Sequence, residues 1–420
     1  VFRFVHCADL HLDSPLRGIA AKEGAPLERI RGATRRALEN LVRLCIEEQA
    51  GFMVIAGDVY DGDWEDYSTG LFFVRCMARL RDHGIRVYLI RGNHDAASQI
   101  TRRLPLPDNV VELPVTSPAT VVLEDLRVAI HGQGFAERAV TQDLSLEYPA
   151  PVPGYFNIGM LHTCAEGREG HETYAPCRVE NLVHKGYDYW ALGHIHKREV
   201  LCERPWIVFP GNLQGRHIRE TGEKGCTLVT VDGTSVQVEH RSVDVLRWLN
   251  CEVDLSGKMT AEQGLLAVQG ALTSLLDQHV GYPLAVRIEL VGETVLHTEW
   301  TGQMEQYLQE LRAIAAGLSG GDAIWLEKVL VHTRPVQVAL EQSLAGDALG
   351  ALRRSVTDAL EDTDFLEAFV GDMKAAQLQM RAYLQSAGAL RLETNDDAAA
   401  LIPDAETLLM TALRKAGHKP

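Results

Sequence analysis

Ile85-Arg86-Val87-Tyr88-Leu89-Ile90-Arg91-Gly92-Asn93-His94-Asp95 decides how this chain is read. The run from Ile85 to Ile90 has the length and composition of a buried parallel strand, and it ends by delivering an amide and an imidazole. In open α/β sheets ligands gather at the carboxyl ends of strands. Four more apolar runs in the first half stop in the same way. Phe2-Arg3-Phe4-Val5 leads to Asp9 and His11, and Phe52-Met53-Val54-Ile55 leads to Gly57-Asp58. Phe156 to Leu161 delivers His162, and Tyr187 to Leu192 delivers Gly193-His194-Ile195-His196.

Between these runs lie helix-like segments. Leu27 to Glu48 places Leu38, Leu41, Val42 and Cys45 at helical spacing, and Tyr67 to Asp82 is similar. The β-α-β-α-β rhythm predicts a layered α/β fold. Shorter runs at Val121 to Leu123, Val128 to Ile130, Trp206 to Phe209, Cys226 to Val231 and Val236 to Arg241 add strands. Two facing sheets flanked by helices are expected.

The pattern changes near residue 245. Strands at Val253 to Leu255, Leu284 to Val291 and Ile324 to His332 alternate with helices at Thr260 to Val280 and Glu305 to Leu318, the outline of a small α+β domain. Beyond Pro335, Ala348 to Leu360, Phe365 to Leu384 and Ala398 to Lys415 read as helices rich in Ala, Leu, Glu and Gln. The expected divisions are 1–245, 246–334 and 335–420, the last a helical C-terminal arm that docks a partner or folds back on its own core.

With 46% hydrophobic and 23% charged residues in 420, the composition is that of a globular protein. Eight cysteines contain no C-x-x-C pair, which argues against a disulfide framework or a thiolate metal site and for a reducing, cytoplasmic setting. No apolar run reaches the roughly 18 residues of a membrane span, so no membrane association is expected. The net charge of −16 divides into −6 for residues 1–245 (27 Lys+Arg against 33 Asp+Glu) and −10 for the rest (14 against 24). Such a chain does not advertise nucleic-acid binding, although carboxylates neutralised by cations are included in that total.

Asp9, His11, Asp58, Asn93, His94, His162, His194 and His196 are the polar residues the strand ends supply. With Asp58 bridging, three Asp and Asn oxygens and four imidazole nitrogens would hold two divalent cations, leaving positions for water and phosphate. A donor set of imidazole and carboxylate without thiolate suits manganese, iron or zinc, and manganese is the expected ion, with magnesium also able to enter.

In order, D-x-H, G-D, G-N-H-[DE], a lone His and G-H-x-H are all present, and by them the chain resembles the calcineurin-like metallophosphoesterases. The resemblance implies a four-layer α/β/β/α sandwich. It implies one metal on Asp9, His11, Asp58 and His196 and another on Asp58, Asn93, His162 and His194. His94 is then no ligand but the residue facing the scissile phosphate, and Asp61, three residues after Asp58, stands where phosphatase members carry the aspartate that orients this histidine. The family mechanism is attack by water held between two cations, with His94 stabilising charge and protonating the leaving group.

Phe4-Val5-His6-Cys7-Ala8-Asp9-Leu10-His11-Leu12-Asp13-Ser14-Pro15-Leu16 and Tyr189 to Glu199 are similar to the SbcD-type DNA-repair exonucleases. Pro210-Gly211-Asn212-Leu213-Gln214-Gly215-Arg216-His217-Ile218-Arg219-Glu220 is the stretch most typical of their YhaO branch. That likeness covers about residues 2–245, with a capping domain and helical arm following as in the family. It implies an Mn-dependent nuclease acting on DNA ends in double-strand-break repair, partnered by an SbcC-like SMC-type ATPase, and by analogy a homodimer.

Arg216, His217 and Arg219 are candidates to meet DNA phosphates. Their plainer reading is pairing with Glu220 and Glu223 on a surface. His6 reads as a residue packed in or beside the sheet. A phosphatase or small-molecule phosphodiesterase is the competing enzyme reading, since a two-metal core does not encode substrate size. A scaffold with a decayed site is the third, and intact His94 with all seven ligand positions argues against it.

Overall fold

The computed structural model describes residues 1–14, 27–61, 67–97, 105–165, 175–318, 323–336, 348–379, 394–399, 401–402 and 405. The chain divides into two compact units, one of residues 1–250, 276–287 and 319–328, the other of residues 251–275, 288–318 and 329–420.

The first unit is built on twelve strands. They are β1 (Phe2–Cys7), β2 (Phe52–Ala56), β3 (Arg86–Ile90), β4 (Val110–Glu112), β5 (Ala119–Leu123), β6 (Val128–Gly132), β7 (Phe156–His162), β8 (Tyr189–Gly193), β9 (Glu199–Glu203), β10 (Trp206–Phe209), β11 (Gly225–Asp232) and β12 (Ser235–Ser242). One sheet has the order β12-β11-β1-β2-β3-β4 and the other β5-β6-β7-β8-β10-β9. In the first, β1 to β4 run parallel, with Val5 opposite Met53 and Met53 opposite Val87. In the second, β6, β7, β8 and β10 run parallel. Parallel neighbours deliver their carboxyl ends to one edge, and both sheets do so.

These strands are apolar throughout because both faces are covered. Phe4, Phe52, Val54, Tyr88 and Ile90 point into a core shared with Ile130, Ile158, Met160, Tyr189 and Val208 of the second sheet. The alternate residues Val5, Cys7, Met53, Ile55, Val87 and Leu89 pack on the helices. The helices in that contact are α2 (Ala33–Glu47) and α3 (Ser68–Asp82); α1 (Leu27–Arg31) precedes α2, and α4 (Asn93–Ala97) follows β3. Ala37, Leu38, Leu41, Val42 and Cys45 form the buried stripe of α2. Leu161, Trp190, Leu192, Ile207 and Phe209 on the far face of the second sheet meet Leu182 of α5 (Val179–His184). The expected α/β/β/α layering is therefore present.

His6 faces the sheet interior, its Nδ1 2.9 Å from the Tyr189 hydroxyl and its Nε2 3.1 Å from the Leu192 carbonyl. Burial depresses its pKa to about 3, so it is a neutral structural residue. The single helix expected over 27–48 is two, separated at Gly32. Strands β4 and β9 are edge strands with exposed or half-buried residues and show no apolar run in the sequence.

A three-stranded sheet follows in the order β13-β14-β15, from β13 (Arg247–Asp254), β14 (Leu284–Val291) and β15 (Ile324–Val331). Its first strand begins earlier than expected. Arg247 interrupts the apolar pattern but is buried, bonded to Asp244 and stacked 3.7 Å from the Tyr282 ring centroid. The helices are α6 (Ala261–Gln278), α7 (His297–Gly302), α8 (Met304–Gly317), α9 (Ala348–Glu361) and α10 (Thr363–Gln379). Of these α7 was not expected. Most of the helix expected over 398–415 lies outside the described residues. No described helix is long and apolar enough to cross a membrane.

Phe4 is fully buried, stacked on Phe52 at 5.0 Å and set edge-on to Tyr189 at 5.3 Å. Phe4→Ala is expected to cost about 3–5 kcal/mol, seen as a lowered urea midpoint. Val1→Ala, at a residue 89% exposed, should leave the midpoint in place.

Candidate metal centre

Five chain segments meet at the shared edge of the two sheets. Strand β1 stops at Cys7, and the chain then runs along the segment after β2: the Asp9, His11 and Leu12 amides donate to the carbonyls of Gly57, Asp58 and Val59 at 3.0, 3.1 and 3.0 Å. Asp9, His11 and Asp58 all take left-handed backbone angles, with φ of 52°, 43° and 54°. Such positions cost about 1–3 kcal/mol each and persist where their surroundings over-determine them. Asp9 and His11, spaced i, i+2, therefore do not sit on one face of a continuing strand. The same holds for His194 and His196, since β8 ends at Gly193 and His194 has φ 100°. In both places the backbone leaves the ladder to aim side chains.

The motif glycines are spaces that the ligands fill. A Cβ on Gly92 would lie 2.2 Å from Asp58 Oδ1, and one on Gly193 would lie 1.9 Å from the Ala56 carbonyl and 2.9 Å from His162 Nδ1. Asp95, which ends the G-N-H-D motif, is buried and accepts the amides of Val59, Tyr60 and Gly92 at 3.2, 3.0 and 3.0 Å. It ties the segment after β3 to the segment after β2. The carboxylates are held by amides as well: His194 N donates to Asp9 Oδ1 and Oδ2 at 3.1 and 3.0 Å, and His94 N to Asp58 Oδ1 at 2.9 Å.

Asp9, His11, Asp58, Asn93, His162 and His194 are buried, and His196 is half-buried. Donor atoms of Asp9, His11 and His196 lie within 4.8 Å of one another, as do those of Asp58, His162 and His194. Asn93 Oδ1 is 3.0 Å from His162 Nε2. The seven side chains thus form one cluster. His94 offers an atom within the same limit of His11 and Asp58. Its Nδ1, however, is 2.9 Å from Asp61 Oδ1, and its side chain is 34% exposed. It is more open to solvent than His196, the other partly exposed ring.

Two tautomers are set by what lies behind the rings. His162 Nδ1 is 2.8 Å from the Ala56 carbonyl and His196 Nδ1 is 2.7 Å from Glu220 Oε1; both oxygens only accept, so both nitrogens carry the proton. Each Nε2 is then the nitrogen turned inward. His196 Nε2 lies 3.0 Å from His11 Nε2, and His162 Nε2 lies 3.4 Å from Asp58 Oδ2. When these rings are neutral with Nδ1 protonated, their Nε2 lone pairs converge here, and positive charge between them satisfies them. Burial raises carboxylates and depresses imidazoles, yet the charges of the cluster override it at Asp58, which surrounding His162, His11 and His94 hold well below the usual carboxylate range. Asp58 in turn lifts His162 to about 9 against its burial. His11 stays depressed to about 3 by burial and the Arg216 charge, as a neutral ligand should be. The donor chemistry and the convergence of lone pairs fit divalent cations.

Asp61 accepts the Ser14 hydroxyl at 2.6 Å and lies 3.4 Å from His11 Nδ1. Despite burial, its bonds to His11, His94 and Ser14 keep it ionised. Burial would lower His94, but its bond to Asp61 and the Asp58 charge raise it above the ordinary imidazole value.

Of the residues considered for phosphate contact, His217 and Arg219 are exposed, but Arg216 is turned inward. Its Nη2 donates to Glu220 Oε1 at 2.7 Å and its Nη1 lies 3.6 Å from Asp61 Oδ2. The expected pairing of Arg216 with Glu220 is present but turned inward and not on a surface, and the contact of Glu220 with His196 was not read from the sequence. Nothing in the sequence distinguished Asp95 as a backbone clip.

The family described as Calcineurin-like phosphoesterase matches residues 2–198, and Metallophosphoesterase YhaO, middle domain, matches residues 248–334. The chain is similar to the Uncharacterized metallophosphoesterase YhaO of Bacillus subtilis (strain 168), with 34% identity over 318 residues, 74% of this chain and 77% of that one. Two proteins named DNA double-strand break repair protein Mre11 are more distant. The one from Methanopyrus kandleri is 25% identical across 62% of this chain and 61% of its own length. The one from Sulfolobus acidocaldarius is 21% identical across 60% and 66%.

Asp58→Asn is expected to deplete bound metal, measured by elemental analysis after gel filtration, and two tightly held ions in that variant would contradict a bridging role. Gly92→Ala should do the same through displacement of the Asp58 carboxylate.

Proposed function

The chain belongs to the calcineurin-like phosphoesterases, together with YhaO, and on that premise we propose that it is a manganese-dependent nuclease cleaving phosphodiester bonds at DNA ends, in double-strand-break repair with an SbcC-like SMC-type ATPase. Metal-dependent phosphoester hydrolysis is the activity of the family, and its members use divalent metal ions. The DNA substrate is supported by the more distant likeness to the two Mre11 proteins. The manganese assignment rests on the donor set, imidazole with carboxylate and amide oxygen and no thiolate.

The observation that carries the reading is His94, exposed beside a buried cluster and braced from behind by Asp61 at 2.9 Å. Asp9, His11, Asp58 and His196 would hold one ion, and Asp58, Asn93, His162 and His194 the other. When bound, the two ions supply a nucleophilic water near neutral pH and stabilise charge on the phosphoryl oxygens.

The chain's own residues do the rest. Asp61 accepts the proton of His94 Nδ1, so the ring is fixed with Nε2 as its free end. As a cation, His94 donates from Nε2 to a phosphoryl oxygen as negative charge grows there, then gives that proton to the departing alkoxide. Asp61 stabilises the imidazolium without taking its proton. Its bond to Ser14 Oγ keeps the carboxylate from swinging away.

The test uses labelled duplex and single-stranded DNA beside p-nitrophenyl esters, with Mn2+, Mg2+ or EDTA. Cleavage of DNA in Mn2+, abolished by EDTA, is expected; hydrolysis of the esters alone would favour a phosphatase or small-molecule phosphodiesterase. His94→Gln should reduce cleavage by at least the roughly 100-fold typical of a general acid while metal content stays at the wild-type value. Loss of both ions in that variant would refute its separation from the ligands.

A further inference from the structure

The segment from Pro210 to Lys224 takes no part in the chemistry above, yet it closes around His196 from several directions. Lys224 Nζ donates to the His196 carbonyl at 2.8 Å, and the Asn212 amide reaches the same oxygen at 3.4 Å. Glu220 Oε1 accepts from His196 Nδ1 at 2.7 Å. Glu220 is itself 5% exposed and fixed by Asn212 Nδ2 at 3.0 Å, the Arg216 amide at 2.8 Å and Arg216 Nη2 at 2.7 Å. Arg216 Nη2 is also 3.2 Å from His196 Nδ1, but a carboxylate at 2.7 Å can only accept, which assigns the proton to the imidazole. On its other side Arg216 Nη1 donates to Ser14 Oγ at 3.4 Å and lies 3.6 Å from Asp61 Oδ2, the carboxylate that holds His94.

We propose that Glu220 is a positioning residue for metal binding, fixing His196 with Nδ1 protonated and Nε2 turned toward Asp9 and His11, and that Arg216 braces it against Asp61. The proposal rests on the two-metal reading of the cluster. An imidazole that binds a cation through Nε2 must keep its proton on Nδ1, and a carboxylate behind it fixes that tautomer and strengthens the ligand. The chain Glu220-Arg216-Asp61 then ties the orientation of a metal-binding ring, His196, to that of the phosphate-facing ring, His94. It also gives the branch-typical Arg216 a role facing inward.

The experiment titrates the full chain, stripped with chelator, with Mn2+ by calorimetry. The wild type should bind two ions. Glu220→Leu, which fills the space but removes the acceptor, should weaken one of the two sites by about 10–100-fold and leave the other. Glu220→Gln, whose oxygen still accepts from Nδ1, should recover most of that loss and retain a several-fold deficit. Glu327→Gln breaks a separate buried ion pair, to Arg287 at 2.7 Å, and should lower stability without changing either Mn2+ affinity. A folded Glu220→Leu protein that binds two ions as tightly as wild type overturns the proposal and leaves the two-metal reading standing. If Glu220→Leu does not fold, unchanged affinity at both sites in Glu220→Gln overturns it equally. Wild-type protein that takes up fewer than two ions refutes the two-metal reading itself, whatever the variants do.

Discussion

Two buried carboxylates, Asp9 and Asp58, are the constraint on which the centre is built. Each is about 1% exposed, and charge taken out of water at that depth must be compensated by hydrogen bonds and opposite charge. The amides of His194 and His94 supply the bonds. The imidazoles supply the rest of the surroundings. Because the compensating amides belong to residues of neighbouring segments, each carboxylate is also a fastener: Asp9 of the first sheet is tied to the end of β8 in the second, and Asp58 to the end of β3. Asp95 adds a third fastener through its three amide bonds.

This arrangement explains why strain is concentrated here. Left-handed backbone at Asp9, His11 and Asp58 would be poorly tolerated in an ordinary loop. At this edge the amides and carbonyls that leave the ladder find partners across the two segments, and the side chains they aim point to one place. The absent Cβ atoms of Gly92 and Gly193 let the segments close to that distance. The fold stores its irregularity where the chemistry needs it, over a sandwich core in which Phe4 stacks on Phe52 and meets Tyr189 edge-on.

Polarity is graded from the cluster outward. Asp9, His11, Asp58, Asn93, His162 and His194 are buried, while His94 and His196 are partly open. Behind these two rings stand carboxylates, Asp61 and Glu220, linked through Arg216. Arg216 therefore serves the interior of the site, and His217 and Arg219 are what that loop shows to solvent.

Much of the first unit was legible in the sequence, because strands buried on both faces read as near-continuous apolar runs and because the polar residues ending those runs are few and distinctive. Edge strands β4 and β9 were not legible, since one side faces solvent and their composition carries no pattern. The buried Arg247 hid the start of β13 for the opposite reason, a charge inside whose partners include His279 and Tyr282, distant in sequence, as well as the nearby Asp244. For the site, residue identity and order along the chain sufficed to single out Asp9, His11, Asp58, Asn93, His94, His162, His194 and His196, and Asp61 followed from the family resemblance. The left-handed turns, the clip made by Asp95, and the inward Arg216 with its Glu220 partner depend on which segments lie against one another. That is decided by the packing of two sheets, so only the tertiary structure could supply it.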